Sequence, residues 1–305
     1  MLAVGALQLR AACFSCLRAF FVAQGFLEVD TPLRLPLVLP ERFIEPLTSE
    51  GFFLQTSPES CMKRLLARGC SRIFQICHCF RKGERGRLHH EEFMMLEWYR
   101  LDADYRQLMT DCEALLAFLA SSLEQFLPPE AVFAWPGNVR EDFLADGERL
   151  TVADAFARYA PLTLEAAMAD GLFDEMLVAH VEPCLGFSRL TFLIDYPARL
   201  ASLARLSPAD GRIAERFELY YRGVELANGF SELTDATEQR RRFHEEIVAI
   251  QEMGRPRPPM PERFLADLAN IGGACGIALG LDRLIMLVLG KNALADAVIF
   301  APDEL

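Results

Sequence analysis

Apolar positions along the chain follow two periods. Between residues 8 and 24 they recur at helical spacing, with Phe14, Leu17 and Phe21 on one stripe. The run stops at Gly25, which readily takes the left-handed conformation of a helix C-terminus. Phe26-Leu27-Glu28-Val29-Asp30 then reads as a strand closed by Thr31-Pro32. Residues 33 to 50 contain Pro36, Pro40 and Pro46 and read as a loop. Thr56-Ser57-Pro58-Glu59 opens a helix with Met62, Leu65 and Leu66 on its buried side. Strands over 73–80 and 93–100 flank a polar loop, helices fill 104–127 and parts of 150–180, and a strand covers 190–196. Phe217–Tyr221 and Val224–Glu232 predict a hairpin turning at Arg222-Gly223. A helix from Asp235 to about Met253, a Pro-rich link, a strand at 276–279 and a helix from Leu281 complete the chain. Strands and helices mixed around antiparallel pairs predict an α+β fold, an antiparallel sheet flanked by helices. No internal repeat and no interior boundary interrupts the pattern, so residues 1–305 read as one domain.

Composition narrows the function classes. At 305 residues and 52% hydrophobic content the chain can bury a large core. Its formal net charge of −12 argues against a protein that lives by gripping nucleic-acid phosphates. Basic residues cluster only locally, at Arg81, Lys82, Arg85 and Arg87 and at Arg240 to Arg242. The nine cysteines are an odd number without the spacing of a secreted scaffold, which fits a reducing cytoplasm. Cys13 and Cys16 read as buried thiols on the first helix. Cys77-His78-Cys79 lies on a strand, where neighbours point to opposite faces and do not close around one metal. The apolar first residues lack a positive leader and are interrupted by Arg10 and Arg18, so neither a signal peptide nor a membrane span is expected.

The candidate chemistry sits in three places. Arg81 ends a strand, and Arg283 stands at the mouth of the last helix after a Gly-rich strand end. A guanidinium fork suits phosphate oxygens, and a helix N-terminus adds positive partial charge. Phe93, Glu97 and Tyr99 share one face of their strand, and a buried glutamate needs a partner such as an ammonium. A two-residue turn pairs Tyr220 with Glu225 and puts Glu218, Tyr220 and Glu225 on one face, where two like charges call for a cation. Asn228, Phe230 and Glu232 have the opposite parity, so a bulge near Ala227-Asn228-Gly229 is required if both sets face one site. Taken singly, each arginine also reads as a surface salt bridge, the Phe93 face as core and the glutamate pair as an exposed acidic face.

Taken together, four segments resemble class II aminoacyl-tRNA synthetases of the lysine-activating branch. They are the helix–Gly25–strand–Pro32 unit, Phe80-Arg81 with Leu96-Glu97-Trp98-Tyr99, the stretch Glu225 to Asp235, and Gly280-Leu281-Asp282-Arg283. The resemblance runs from about residue 10 to the C-terminus. It implies ATP-driven adenylation of an amino acid, with Arg81 on the α-phosphate and substrate carboxylate and Arg283 on the γ-phosphate. It further implies ATP contacts from Lys82, Gly83, Glu84, His90, Phe93, Glu225, Leu226 and Gly280, and Mg²⁺ at Glu218 and Glu225. The amino acid would be received by Ser57, Pro58, Glu59, Glu97, Tyr99, Asn228, Phe230, Glu232 and Ala278, with Glu59 on the α-amino group and Glu232 toward the side-chain ammonium. The first motif builds the dimer interface in that family, so a homodimer is implied.

The chain departs from the family pattern in motif 2. Arg81-Lys82-Gly83-Glu84 stands where Arg-Asn-Glu or Arg-x-Glu is usual, which leaves Glu84 as the candidate adenine-side carboxylate, and His90-Glu91 replaces Asn-Pro. The loop at 33–50 is abbreviated. Only about 24 residues precede the first motif, where lysyl-tRNA synthetases carry an anticodon-reading OB domain. This short form resembles a family of synthetase paralogues, the elongation factor P–(R)-β-lysine ligases, which join (R)-β-lysine to a lysine side chain of elongation factor P. Trp98 and Ala278 point the same way. A methyl at Ala278, where lysyl synthetases commonly have glycine, narrows the pocket beside the amino acid backbone. Two further readings stand beside it: a minimal synthetase charging tRNA or a small acceptor, and a non-catalytic sensor of lysine or ATP.

Overall fold

The computed structural model describes residues 1–304. Its strands are β1 (Leu27–Glu28), β2 (Arg34–Leu35), β3 (Thr48–Ser49), β4 (Phe52–Leu54), β5 (Arg72–Phe80), β6 (Glu92–Leu101), β7 (Glu148–Thr151), β8 (Thr191–Pro197), β9 (Ile213–Tyr221), β10 (Val224–Ser231) and β11 (Ala274–Gly280). Its α-helices are α1 (Val4–Ala23), α2 (Glu59–Leu66), α3 (Tyr105–Ser122), α4 (Val139–Leu144), α5 (Val152–Tyr159), α6 (Leu164–Asp170), α7 (Phe173–Met176), α8 (Ala236–Glu252), α9 (Glu262–Leu268) and α10 (Leu281–Val288). Eight strands form one sheet in the order β1-β5-β6-β11-β10-β9-β8-β7. The six central strands are antiparallel, and the edge pairs β1–β5 and β7–β8 are parallel.

Strand parity divides the side chains of β6 between two layers. Met94, Leu96 and Trp98 point into the main core with α1, α3 and α10. Tyr99 points the other way, toward α2, α8 and α9. Arg100, 9% exposed, is fixed by two hydrogen bonds to Asp111 of α3, at 2.6 and 2.9 Å. Asp111 also accepts from Trp98 and Gln107, so a buried charge pair with its oxygens satisfied locks the helix to the sheet.

Helix α1 is the one helix among the described residues long and apolar enough to cross a membrane. Its apolar stripe is used here for packing: Leu9, Cys13, Cys16, Leu17, Phe20 and Phe21 are buried in the core. Its Arg10 pairs with Asp282 at 2.7 Å.

Several boundaries differ from the sequence reading for identifiable reasons. The expected strand at 26–30 is only the two-residue edge strand β1, cut short before Pro32. The segment 33–50 contributes to a three-stranded sheet, β2-β4-β3, with the rest a loop. The short strand β7 overlaps only the first two residues of 150–180, parts of which are expected to be helical and hold α5 and α6. The hairpin is as expected: Arg222 and Gly223 both have positive φ, 51° and 70°, and Tyr220 faces Glu225. Its bulge falls at Leu226, between Glu225 and Ala227, one residue before the segment expected to carry it. Gly229 has a different purpose. A Cβ there would stand 2.8 Å from the Phe217 ring and 3.1 Å from Ile277, so it admits packing rather than bending the strand.

Candidate active site

A cavity of about 640 Å³ opens on the sheet face that carries Glu97 and Tyr99. It draws its walls from β6, β9, β10, β11, the segment after β5 that carries Arg81, the start of α2 and α10, and the loop at 36–47. Arg81, Glu84, His90, Phe93, Glu225, Leu226, Gly280 and Arg283 all line it, as do Ser57, Glu59, Glu97, Tyr99, Asn228, Phe230, Ala278 and Glu218. Residues separated by two hundred positions thus meet in one chamber because β6, β11 and β10 are neighbours in the sheet.

Arg283 is held in place before any ligand arrives. Its guanidinium donates to the Leu88 carbonyl at 3.2 Å, to the Glu225 carbonyl at 2.8 Å and to a Glu225 carboxylate oxygen at 3.2 Å. It also meets His89 Nε2 at 2.8 Å. Burial and the Arg283 charge hold His89 below the usual imidazole range, so the ring is neutral and its nitrogen accepts. The base of α10 is fixed in turn by Asp282, which accepts from the Met94 backbone N–H at 2.6 Å. His89 was not singled out from sequence; its neighbour His90 was.

Arg81 is freer. Its Nε lies 3.4 Å from the Thr56 carbonyl, its carboxylate neighbour Glu84 is 3.8 Å away, and its guanidinium carbon sits 5.2 Å from the centre of the Phe93 ring. The fork therefore remains available to an anion. Lys82 and Gly83 do not join it. The Lys82 ammonium pairs with Glu45, and Gly83, at φ +79°, makes a turn whose N–H donates to Glu91 at 2.7 Å. Neither is among the residues that line the cavity.

The glutamate pair has already recruited a cation. One Glu218 oxygen accepts from Arg216 at 2.5 Å, and the other accepts from the Tyr196 and Tyr220 hydroxyls at 2.5 and 2.7 Å. Burial raises the Glu218 carboxyl above its ordinary range; Arg216 pulls it down and Glu225 pushes it up. No group of three or more His, Cys, Asp or Glu side chains is placed to hold a metal among the described residues. Two carboxylates facing a phosphate-sized chamber nevertheless fit Mg²⁺, which needs few protein oxygens when phosphates supply others. Glu225, with a side chain 35% exposed, is the more available of the two.

The amino-acid side of the chamber is acidic around one internal lysine. Lys63 of α2, 1% exposed, is ion-paired to Glu59 and, at 2.5 Å, to Glu232. Burial alone would lower the Lys63 ammonium; Glu232 and Glu59 more than offset it and hold it above its ordinary range. Burial pushes the Glu232 carboxyl up to about 8, against the pull of Lys63. The sequence reading aimed Glu232 at the substrate ammonium. The structure turns it to Lys63, behind Gly276 and outside the cavity lining, because a charge buried to 2% exposure takes the resident cation. Pro58 likewise does not line the cavity: it is the N-cap residue of α2 and starts the turn that presents Glu59. Lys63 could have been suspected from its i, i+4 spacing to Glu59 on a helix face shared with Met62 and Leu66.

Glu97 is 2% exposed and accepts only from the Tyr99 hydroxyl, at 3.2 Å. Burial first, then Glu59, raises its carboxyl well above the ordinary range. Gln55, just behind, is tied to the His78 carbonyl and the Cys77 sulfur. The methyl of Ala278 packs with Phe93, Cys77, Cys79 and Met95 on the cavity floor, where it was expected beside the substrate. A buried carboxyl that must ionise to hold an ammonium gives a pH signature. Binding of an ammonium ligand expels the Glu97 proton, so affinity rises with pH up to the raised pKa and is weakest in acid. Affinity for an ammonium ligand, measured by calorimetry over a range of pH, is expected to fall as the solution is made more acidic; affinity that instead rises toward acid would contradict the assignment.

Comparison with known proteins agrees with this geometry. The family model of class II tRNA synthetases (D, K and N) matches residues 4–304. A protein of Salmonella gallinarum named elongation factor P–(R)-β-lysine ligase is 41% identical over 310 aligned positions, covering 97% of this chain and 94% of the relative. Proteins of the same name from Salmonella typhi and Salmonella agona are 40% identical over the same shares. With a match over nearly the whole length, a mostly antiparallel sheet flanked by helices and both arginines in one chamber, the chain belongs to the class II tRNA synthetases of the D, K and N group.

Proposed function

We propose that this enzyme activates (R)-β-lysine with ATP and transfers it to a lysine side chain of elongation factor P. One observation carries the reading: a single cavity joins two phosphate-directed arginines to a buried glutamate–tyrosine pair suited to an ammonium. The names of relatives at about 40% identity support the acceptor and the β-amino acid. The net charge of −12 favours a protein acceptor over tRNA.

In the first step a carboxylate oxygen of the amino acid attacks the α-phosphorus of ATP, and the bond to pyrophosphate breaks. Arg81 orients both reacting anions and meets the charge growing on the phosphate. Arg283, prepositioned by Leu88, Glu225 and His89, holds the departing end. Phe93 offers a face for adenine beside Arg81. When bound, Mg²⁺ at Glu218 and Glu225 neutralises phosphate charge. In the second step the acceptor amine attacks the activated carbonyl and AMP leaves. A cytoplasmic homodimer is part of the reading, supported by apolar side chains exposed on the α1–β1 side, Val22 at 63% and Leu27 at 58%. Sedimentation giving only monomer would remove the dimer.

The deciding experiment incubates enzyme, ATP, (R)-β-lysine and unmodified elongation factor P and weighs the factor intact. A mass gain of one β-lysyl group is expected. Charging of tRNA without that gain would favour the minimal synthetase, and absence of pyrophosphate exchange with every lysine isomer would favour the sensor.

A further inference from the structure

The loop at 36–47 carries a residue that the sequence did not single out. It is strapped over the cavity at both ends. Arg42 donates to Glu246 of α8 at 2.5 and 2.8 Å, and the Arg42 backbone N–H adds a third bond at 2.7 Å. Arg255 reaches the Arg42 carbonyl, and the Lys82 backbone N–H donates to the Glu45 carbonyl at 2.8 Å. Immediately before the first of these anchors, Glu41 is half-buried and lines the cavity.

Pairing of charges across the chamber sets Glu41 apart. Glu59, Glu84, Glu218, Glu225, Glu246 and Asp282 line the cavity and each faces a resident cation: Lys63, Arg81, Arg216, Arg283, Arg42 and Arg10 respectively. Among the described residues, the lining carboxylates with no ion-pair partner are Glu41, Glu97 and Asp174, and Asp174 is solvent-exposed on α7. Two recessed carboxylates without a cation thus remain, and each disfavours an empty site. A diamino acid brings two ammonium groups. Glu97 with Tyr99 takes one.

We propose that Glu41 takes the other: it binds the amine nearer the substrate carboxylate and makes the second amine a requirement for activation. This rests on the diamino-acid reading above. Its placement agrees, because Glu41 lines the same chamber as Arg81, which would hold the carboxylate. Burial and the Glu59 charge push the Glu41 carboxyl up to about 7, as expected of an anion waiting for its cation.

The test compares Glu41→Gln with the unaltered enzyme in pyrophosphate exchange, using (R)-3,6-diaminohexanoate and 6-aminohexanoate, which lacks only the near amine. For the diamine, kcat/KM is expected to fall about 10- to 100-fold, the range for a lost charge-assisted hydrogen bond. For 6-aminohexanoate, followed as a substrate or as a competitive inhibitor, the constant should move less than about twofold, which also reports an intact fold. Glu41→Asp is expected to retain part of the preference. An equal loss on both compounds, or none on either, overturns the assignment while leaving the diamino-acid reading in place. Failure of the unaltered enzyme to exchange with any diamino acid overturns both.

Discussion

Arg81→Ala is expected to slow adenylate formation by about 10²- to 10³-fold, the effect of removing one preorganised donor from a developing anion. The side chain is suited to a clean test. It makes no short ion pair, with Glu84 at 3.8 Å, and its one hydrogen bond, to the Thr56 carbonyl, is long at 3.4 Å. Its removal therefore leaves no buried partner stranded, and the fold should keep its stability to within about 0.5 kcal/mol. Arg81→Lys keeps the charge but loses the planar fork, so most of the defect should persist. Pyrophosphate exchange with (R)-β-lysine measures the rate and urea denaturation the stability. A loss smaller than tenfold would remove Arg81 from the reacting centre. Arg283 would be a poorer first choice, because it also joins Leu88, His89 and Glu225, and its loss would mix catalysis with packing.

Gly276→Ala is the second large effect, and it acts through shape alone. Gly276 faces Tyr99 across the β6–β11 pairing. A Cβ there would stand 2.1 Å from a Tyr99 ring carbon and 2.5 Å from a Glu232 oxygen. Neither neighbour can retreat easily: Tyr99 is 2% exposed and Glu232 is held by Lys63. The strand or the tyrosine must shift, at a stability cost of about 1–3 kcal/mol. A displacement of about 1 Å at Tyr99 and Glu97 should lower kcat/KM on the order of 10²-fold. The loss should appear for lysine-type substrates, while ATP binding, followed separately, changes little. Unchanged activity in a folded Gly276→Ala enzyme would show that the Tyr99 wall does not position the amino acid.

Much of this site was legible along the chain because it is built from local rules. Alternation along 93–100 put Phe93, Glu97 and Tyr99 on one face, and the Arg222-Gly223 turn fixed the register that brings Glu218 to Tyr220 and Glu225. Asp104 and Asp235 cap α3 and α8 as the start of each helical pattern required. What periodicity leaves open is competition between partners far apart in sequence. Lys82 could serve a phosphate or Glu45, and Glu232 could serve a ligand or Lys63; periodicity ranks neither choice. The bulge was placed too late because Gly229 was read as a bend, when Phe217 and Ile277 need its missing side chain.

The sequence by itself determined the class of chemistry: two arginines in matching contexts, a glutamate and a tyrosine on one strand face, and an α+β order of elements. These follow from residue type and short-range spacing, which the backbone periods of 2 and 3.6 transmit directly. Only the tertiary structure decided which charges are spent on one another. Lys63 and Arg42 consume carboxylates from other elements, and the strap at 36–47 brings Glu41 over the chamber. A buried charge settles on whatever cation the fold places within about 4 Å, and that distance depends on how sheet, helices and loop pack together.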